Sequence, residues 1–287
     1  MIENLKKLAA GLFPRAVKSG LNEIHDRPLV TPTIPQPAHE EWTGPFVSWT
    51  EAAEKATGYD SPLILDKVLQ AAIKVKTGQA AYERDSVTFD RIQYAWPVTA
   101  ALLYVALQNG RRLNVLDFGG SLGTSYFQNR KMLSGVSPLN WCVVEQPHFV
   151  AAGTKYLASS ELKFFLTANE AVQVCEPDVI LVSGVLQVIE NAYQVMEDLF
   201  GRKVPFVLID RLSVLAGTTD EIYLQQVPPS IYEASYSNHF FGEQNIMKQI
   251  ETNYLIISDF KSDCDPSLIL SSDKIVHWKG YFCVKKK

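Results

Sequence analysis

The spacing of apolar residues changes along the chain from a helical to a mixed pattern. Between residues 64 and 73, apolar side chains recur every three or four positions and Gly78 follows them, which predicts an amphipathic helix that ends near this glycine. A second helix is predicted from about Phe89 to Asn109, and Pro97 is expected to kink or divide it. Beyond residue 112, short apolar runs alternate with helical stretches, which is typical of a parallel sheet with helices on both faces.

The predicted strands are the short apolar runs 113–117, 141–145, 162–166, 178–183, 204–209, 254–260 and 280–285. The predicted helices among them lie near 123–133, 147–158, 169–175, 188–200 and 243–252. Residues 261–279 are too polar for a crossover helix, so the last strand is expected to be antiparallel. The predicted architecture is a helical cap of residues 1–110 followed by one α/β domain of residues 111–287.

The beginning of the chain carries an amphipathic pattern. Residues 1–18 place apolar side chains on one helical stripe, with lysine and arginine around it. Such a helix either packs on its own domain or a partner subunit, or lies on an anionic membrane surface. Prolines then become frequent, which predicts an extended arm over about residues 28–45.

Composition narrows the class of protein. The 287 residues are 47% hydrophobic, as in ordinary globular proteins, and the net charge of −4 lacks the basic excess of a nucleic-acid-binding protein. No apolar run reaches the ~18 residues of a membrane span, and no signal peptide is recognisable. The cysteines form no C-x-x-C pair and no histidines have ligand spacing, so we expect reduced thiols, a cytoplasmic location and no metal site.

The segment Leu113–Gly123, LNVLDFGGSLG, joins an apolar run to a glycine-rich turn and a predicted helix. This arrangement brings backbone N–H groups and a helix N-terminus close to a ligand. It fits the nicotinamide pattern G-x-G-x-x-G poorly, because Ser121 and Thr124 stand where that pattern needs glycine.

A serine hydrolase is one open interpretation of the same turn. Residues 119–123 match G-x-S-x-G with Ser121 as the nucleophile, and Asp210 and His239 follow in the order that the triad requires. Such a turn normally follows several strands, whereas the preceding residues predict mainly helix. The hydrolase interpretation also leaves Asp117 and Glu145 without a role.

The other interpretation is the pattern D-x-G-x-G-x-G, the S-adenosylmethionine-binding turn of class I methyltransferases. Asp117, Gly119 and Gly123 match it, and Ser121 replaces the middle glycine. Glu145 follows the next apolar run, where an acid can accept hydrogen bonds from both ribose hydroxyls. Alternatively, Glu145 is a surface acid after a strand.

Several segments together resemble one family, the class I methyltransferases found with bacterial surface-polysaccharide genes. They are WTGPFVSW (42–49), GQAAYERDS (78–86), VLDFGGSLGTSYFQNR (115–130), WCVVEQPHFVAAG (141–153) and LQQVPPSIYEASY (224–236). The resemblance implies a Rossmann-like, seven-stranded sheet with an antiparallel last strand. It also implies S-adenosylmethionine as cofactor and a glycan, sugar or activated sugar as acceptor.

By analogy with methyltransferases, the cofactor would be bound around the glycine turn and the ends of the following strands. The residues expected there are Asp117, Gly119, Gly120, Ser121, Gly123, Glu145, Gln146, Asn169 and Ser183. Asn169 would contact adenine or else cap a helix, which asparagine also favours.

A hydroxyl acceptor requires a base. His239 is the first candidate and Asp210 the second. The alternatives are a structural histidine among aromatic residues and an Asp210–Arg211 pair with structural partners.

The remaining candidates would contact the acceptor. Arg211 could bind an anionic group, Tyr232 and Tyr236 could stack on a sugar ring or simply pack, and the charged run Glu83, Arg84 and Asp85 either faces the site or is solvated. A further open interpretation is a methyltransferase-like domain that only scaffolds a glycan-assembly complex.

Overall fold

The computed structural model describes residues 41–58, 62–228, 234–262, 265–272 and 274–287. Its strands, numbered along the chain, are β1 (Trp42–Phe46), β2 (Tyr82–Arg84), β3 (Val87–Phe89), β4 (Leu113–Phe118), β5 (Leu139–Val144), β6 (Leu162–Phe165), β7 (Val179–Ser183), β8 (Phe206–Leu215), β9 (Glu221–Gln226), β10 (Ser235–Gly242), β11 (Tyr254–Lys261), β12 (Leu268–Ser271) and β13 (Lys274–Lys285). Its helices are α1 (Trp49–Ala53), α2 (Pro62–Lys76), α3 (Trp96–Gln108), α4 (Thr124–Arg130), α5 (Pro147–Tyr156), α6 (Ala168–Cys175), α7 (Ala192–Gly201) and α8 (Glu243–Asn253).

The predicted strands lie side by side in the order β6-β5-β4-β7-β8-β13-β11. Strands β4 to β8 are parallel to one another. Strand β13 lies between β8 and β11 and is antiparallel to both. The prediction of a mostly parallel sheet with an antiparallel last strand is therefore confirmed.

The sheet is larger than predicted, with eleven strands among the described residues. Strand β8 pairs with β7 up to Asp210, and its last residues pair with β10 instead. Strand β10 is followed across the sheet by β9 and β1, and β12 pairs with β13. The added strands were missed because they are short or mix polar and apolar residues, as EIYLQQ does in β9.

Helices cover both faces of the parallel strands, as the apolar runs predict. Neighbouring residues of β4 point to opposite sides: Val115 belongs to the core beneath α2 to α5, and Leu116 to the core beneath α6 to α8. Leu102 of α3 and Met196 of α7 are fully buried in these two cores. Packing on both faces of the sheet thus holds the carboxyl ends of β4, β5 and β7 together at one edge.

The helix predicted from Phe89 to Asn109 is wrong at its beginning. Phe89 ends strand β3, and the helix begins at Trp96 with Pro97 in its first turn. Proline is tolerated there because the first N–H groups of a helix have no partner within it. Pro97 therefore starts α3 and does not kink it.

The amphipathic segment 1–18 and most of the proline-rich arm lie outside the described residues, and the division at residue 110 stays a prediction. The end of the arm forms strand β1. Within the described ranges, no helix has the length and apolar character needed to cross a bilayer.

Candidate active site

A cavity of about 520 Å³ lies at the carboxyl ends of β4, β5 and β7. Strands β5 and β7 flank β4 on opposite sides, and ligands bind in open α/β sheets where the order of the strands reverses in this way. Many of the predicted site residues line this cavity, namely Glu83, Arg84, Asp85, Gly119, Gly120, Ser121, Glu145, Gln146, Ser183, Asp210, Arg211 and Tyr236.

The glycine turn forms one wall of the cavity. Gly119 has a φ of +68°, and a Cβ on it would lie 2.8 Å from Cβ of Val185. A Cβ on Gly120 would overlap the carboxyl group of Asp117. Ser121 has a positive φ of 53° and Gly123 a φ of +89°, after which α4 begins. The turn therefore presents bare backbone to the cavity, as close approach by a ligand requires.

Asp117 lies behind the turn and does not line the cavity. It is 1% exposed, and its Oδ2 accepts a hydrogen bond of 2.8 Å from Nε1 of Trp141. Its Oδ1 is buried and finds no partner among the described residues. Burial raises the pKa of Asp117 to about 7. Asp117 therefore packs against Gly120 and supports the turn on the side away from the cavity.

Glu145 follows β5 and lies against the same turn. Its Oε1 accepts from the N–H of Ser121 at 3.2 Å, and its Oε2 accepts from the N–H of Gln146 at 2.7 Å. Burial raises the pKa of Glu145, and these N–H groups oppose the shift. The carboxylate is thus fixed at the edge of the cavity, and its remaining lone pairs can accept from hydroxyl groups.

The hairpin of β2 and β3 forms another wall of the cavity. Glu83 is only 2% exposed, and its Oε1 accepts from the hydroxyl of Thr124, the first residue of α4. Burial, the largest cause, raises the pKa of Glu83 to about 7. Glu83 and Arg84 are therefore buried in the cavity wall, whereas Asp85 lines the cavity and is also exposed to solvent.

Asp210 and Arg211 lie where β8 leaves β7. Oδ2 of Asp210 accepts from the hydroxyl of Ser183 at 3.2 Å, and burial raises the pKa of Asp210 to about 6. Arg211 has a φ of +56° and donates from Nε and Nη2 to both carboxylate oxygens of Asp265, at 2.8 and 3.2 Å. Its Nη2 also lies 3.4 Å from Oδ2 of Asp85. The Arg211 guanidinium is therefore largely paired within the protein.

His239, the first candidate base, lies in β10 and does not line the cavity. Its ring stacks on Trp49 at 4.5 Å and on Phe241 at 5.0 Å, and its Nε2 lies 3.1 Å from the carbonyl oxygen of Glu190. Burial lowers its pKa. His239 therefore has the surroundings of a structural histidine among aromatic residues, which was the alternative to a catalytic base.

Asn169 and Gly123 are also not in the cavity wall. Asn169 is exposed in α6, where its Oδ1 accepts from Arg202, and Thr167 caps the helix with Glu170 instead. Gly123 lies at the start of α4, where a Cβ would contact Leu162. Tyr232 lies outside the described residues.

The hydrolase triad is not assembled. Ser121 and Asp210 line the cavity, but no hydrogen bond of the described residues joins His239 to either of them. A nucleophilic serine needs its base within hydrogen-bond reach. The geometry therefore does not support Ser121 as a hydrolase nucleophile.

Three contributors to the site were not predicted. Trp141 supports Asp117, Thr124 holds Glu83, and Asp265 pairs with Arg211. Trp141 and Thr124 lie within motifs that the sequence already singled out. Nothing in the sequence indicates Asp265, because its partner is distant along the chain.

The fold is an α/β fold. Its mostly parallel sheet with an antiparallel last strand, and the position of the cavity, agree with what the resemblance to class I methyltransferases implies. Neither a protein-family model nor a curated protein matches the chain.

Solved structures resemble it weakly. The N-terminal domain of EvdMO1 with SAH bound is 9% identical over 77% of this chain and 97% of that chain, with a TM-score of 0.45. The magnesium protoporphyrin IX methyltransferase ChlM of Synechocystis is 13% identical over 80% of this chain and 100% of that chain, with a TM-score of 0.41. The glycopeptide N-methyltransferase MtfA is 12% identical over 66% of this chain and 94% of that chain, with a TM-score of 0.43. Similarity at this level assigns no activity or ligand to this chain.

Proposed function

We propose that this protein is an S-adenosylmethionine-dependent methyltransferase that methylates a hydroxyl group. The observation that carries the proposal is a bare glycine turn with Glu145 fixed beside it at the carboxyl ends of β4 and β5. A nucleoside with free ribose hydroxyls fits this pair, because the carboxylate accepts from the hydroxyls and the turn allows close approach.

The residues fit the cofactor on two counts. Glycine keeps the turn free of side chains where it is closely packed, because a Cβ on Gly119 would clash with Val185 and a Cβ on Gly120 would clash with Asp117. In the cavity wall, Oε2 of Glu83 is buried without a hydrogen-bond partner among the described residues. A charged or donor-bearing ligand at the turn would offset the cost of burying such groups.

When bound, S-adenosylmethionine supplies a methyl group on a sulfonium, and the protein's task is alignment and proton removal. Asp210 is the base that the structure favours. It lines the cavity, Ser183 fixes one of its oxygens, and its pKa of about 6 leaves it ionised at neutral pH. Its carboxylate would take the proton of the acceptor hydroxyl as the new oxygen–methyl bond forms.

We infer an acceptor rich in hydroxyl groups, as a sugar or glycan is. Besides the residues assigned to the cofactor, the cavity is lined by Asp210, whose carboxylate accepts from hydroxyl donors, and by Tyr236, whose ring can stack on a sugar. Arg211, which the sequence offered as an anion clamp, is already paired with Asp265 and Asp85. This favours a neutral acceptor over a phosphorylated one. A role in surface-polysaccharide synthesis rests on the sequence resemblance.

Calorimetric titration with S-adenosylhomocysteine tests the proposal. We expect one ligand per chain with a dissociation constant of ~100 μM or tighter. No binding by folded protein would overturn the proposal. Covalent labelling by a fluorophosphonate that Ser121→Ala abolishes would support the hydrolase instead.

The acceptor is tested with isotopically labelled S-adenosylmethionine and panels of free sugars, glycans and sugar phosphates. Transfer to neutral sugars is expected, and transfer only to phosphorylated ones would contradict the inferred acceptor. Tight cofactor binding without transfer to any acceptor would favour the scaffold interpretation.

A further inference from the structure

Glu83 has an unusual position for an acidic side chain. It belongs to the β2–β3 hairpin, outside the large sheet, yet it is 2% exposed and lines the cavity. Its Oε1 accepts from Thr124, which directly follows the glycine turn. The hairpin is therefore joined to the cofactor-binding wall of the cavity through this carboxyl group.

The second carboxyl oxygen of Glu83, Oε2, is buried and has no hydrogen-bond partner among the described residues. The backbone N–H of Ser86 lies near enough to lower the pKa of the carboxyl group, but burial outweighs it. A buried carboxyl oxygen without a donor is destabilising, because it loses its hydration and gains no hydrogen bond in return. Such an oxygen in the wall of a cavity is placed to accept from a donor on a bound ligand.

The surroundings of Glu83 favour a cationic donor. The charged groups that line the same cavity are Arg84, Asp85, Glu145, Asp210 and Arg211. Two apolar residues also line it, namely Val68 of α2 and Ala95, which directly precedes α3. Arg211 is paired with Asp265 and Asp85, and Arg84 lies 3.9 Å from Asp85. The charge of Arg84 lowers the pKa of Glu83, yet Oε2 of Glu83 accepts no hydrogen bond from the described residues.

We propose that Glu83 binds the α-ammonium group at the amino-acid end of the cofactor, which makes the hairpin part of the cofactor site. This inference rests on the proposed function. Glu145 accepts from the N–H of Ser121 in the middle of the turn, and Glu83 accepts from the hydroxyl of Thr124 directly after it. A ligand with ribose hydroxyls at one end and an ammonium group at the other matches this pair of carboxylates. Burial raises the pKa of Glu83, and the charge of Arg84 offsets this only in part.

The experiment compares two ligands on two proteins by calorimetry. S-adenosylhomocysteine carries the ammonium group, whereas 5′-methylthioadenosine has the same adenosine and thioether without the amino-acid end. We expect Glu83→Gln to weaken S-adenosylhomocysteine binding about 10-fold or more and to leave methylthioadenosine within about twofold. Glu54→Gln, which removes an exposed charge outside the cavity, should change neither affinity.

The outcomes separate this inference from the proposed function. An equal loss for both ligands, or no loss for either, would overturn the role of Glu83 while leaving the cofactor assignment intact. Failure of the unsubstituted protein to bind S-adenosylhomocysteine would instead overturn the proposed function.

Proton release provides a second readout that a merely structural role would not produce. Because an ammonium group favours ionised Glu83, binding of S-adenosylhomocysteine near pH 7 should release a fraction of a proton, measured from titrations in buffers of different ionisation enthalpy. The release should be absent for methylthioadenosine and for Glu83→Gln. Equal proton release by S-adenosylhomocysteine and methylthioadenosine on the unsubstituted protein and by S-adenosylhomocysteine on Glu83→Gln would contradict the inference.

Discussion

Replacing Glu83 with glutamine should make the free protein more stable at alkaline pH. Glutamine keeps the shape of the side chain and an oxygen that can accept from Thr124, but it does not ionise. Burial raises the pKa of Glu83 from 4.5 to about 7 in the folded protein. The substitution therefore removes an ionisation that opposes folding.

The magnitude follows from the shift in pKa. Below pH 4.5 Glu83 is protonated in both the folded and the unfolded chain, and its contribution to stability is fully present. As the pH rises through about 7, the folded chain must ionise a buried group and that contribution is lost. At about 1.4 kcal/mol per pKa unit, the whole loss is about 3 kcal/mol. Most of it, about 2–3 kcal/mol, falls between pH 5 and pH 8.

Urea unfolding followed by tryptophan fluorescence measures this difference in each protein at the two pH values. The free energy of unfolding of Glu83→Gln, relative to the unsubstituted protein, should rise from pH 5 to pH 8. Glu54→Gln, at an exposed position, should show no such trend. A difference that is the same at both pH values would refute the reasoning, because it would mean that Glu83 ionises normally in the folded state.

Three further substitutions test other parts of the site. Glu145→Gln should weaken S-adenosylhomocysteine binding by about 1–3 kcal/mol in calorimetry, because it removes charge-assisted hydrogen bonds; unchanged affinity would remove Glu145 from the site. His239→Phe should leave that affinity unchanged, because phenylalanine preserves the stacking between Trp49 and Phe241 outside the cavity; a large loss would return His239 to the site. Asp265→Asn should lower the free energy of unfolding by about 1–3 kcal/mol in urea, because it leaves the Arg211 guanidinium with a weaker partner; no loss would show that this pair contributes little.

The parts of the site that could be predicted from the sequence are local. Asp117, the glycines and Glu145 stand at the ends of apolar runs, and the carboxyl ends of parallel strands meet at one edge of a sheet. The same logic placed Ser183 and Asp210 together, and they form a hydrogen bond. For these residues, the place at or just after the end of a parallel strand was enough to predict that they lie at or next to the site.

The parts that could not be predicted depend on contacts between distant segments. His239 follows an aromatic-rich stretch like that of an active-site loop, but β10 pairs with β9 and carries it away from the cavity. The pairing of Arg211 with Asp265 joins β8 to the loop before β12 and leaves no periodic signal. Asn169 does not cap α6, because Thr167 and Glu170 form the capping box that sets where this helix begins.

A crystal structure of the complex with S-adenosylhomocysteine tests the central claim most directly. The account predicts ligand density in the cavity, with both ribose hydroxyls about 2.5–3.0 Å from the carboxylate oxygens of Glu145 and the backbone of the glycine turn against the ligand. Ligand density elsewhere on the protein, or an adenosine turned away from Glu145, would contradict it.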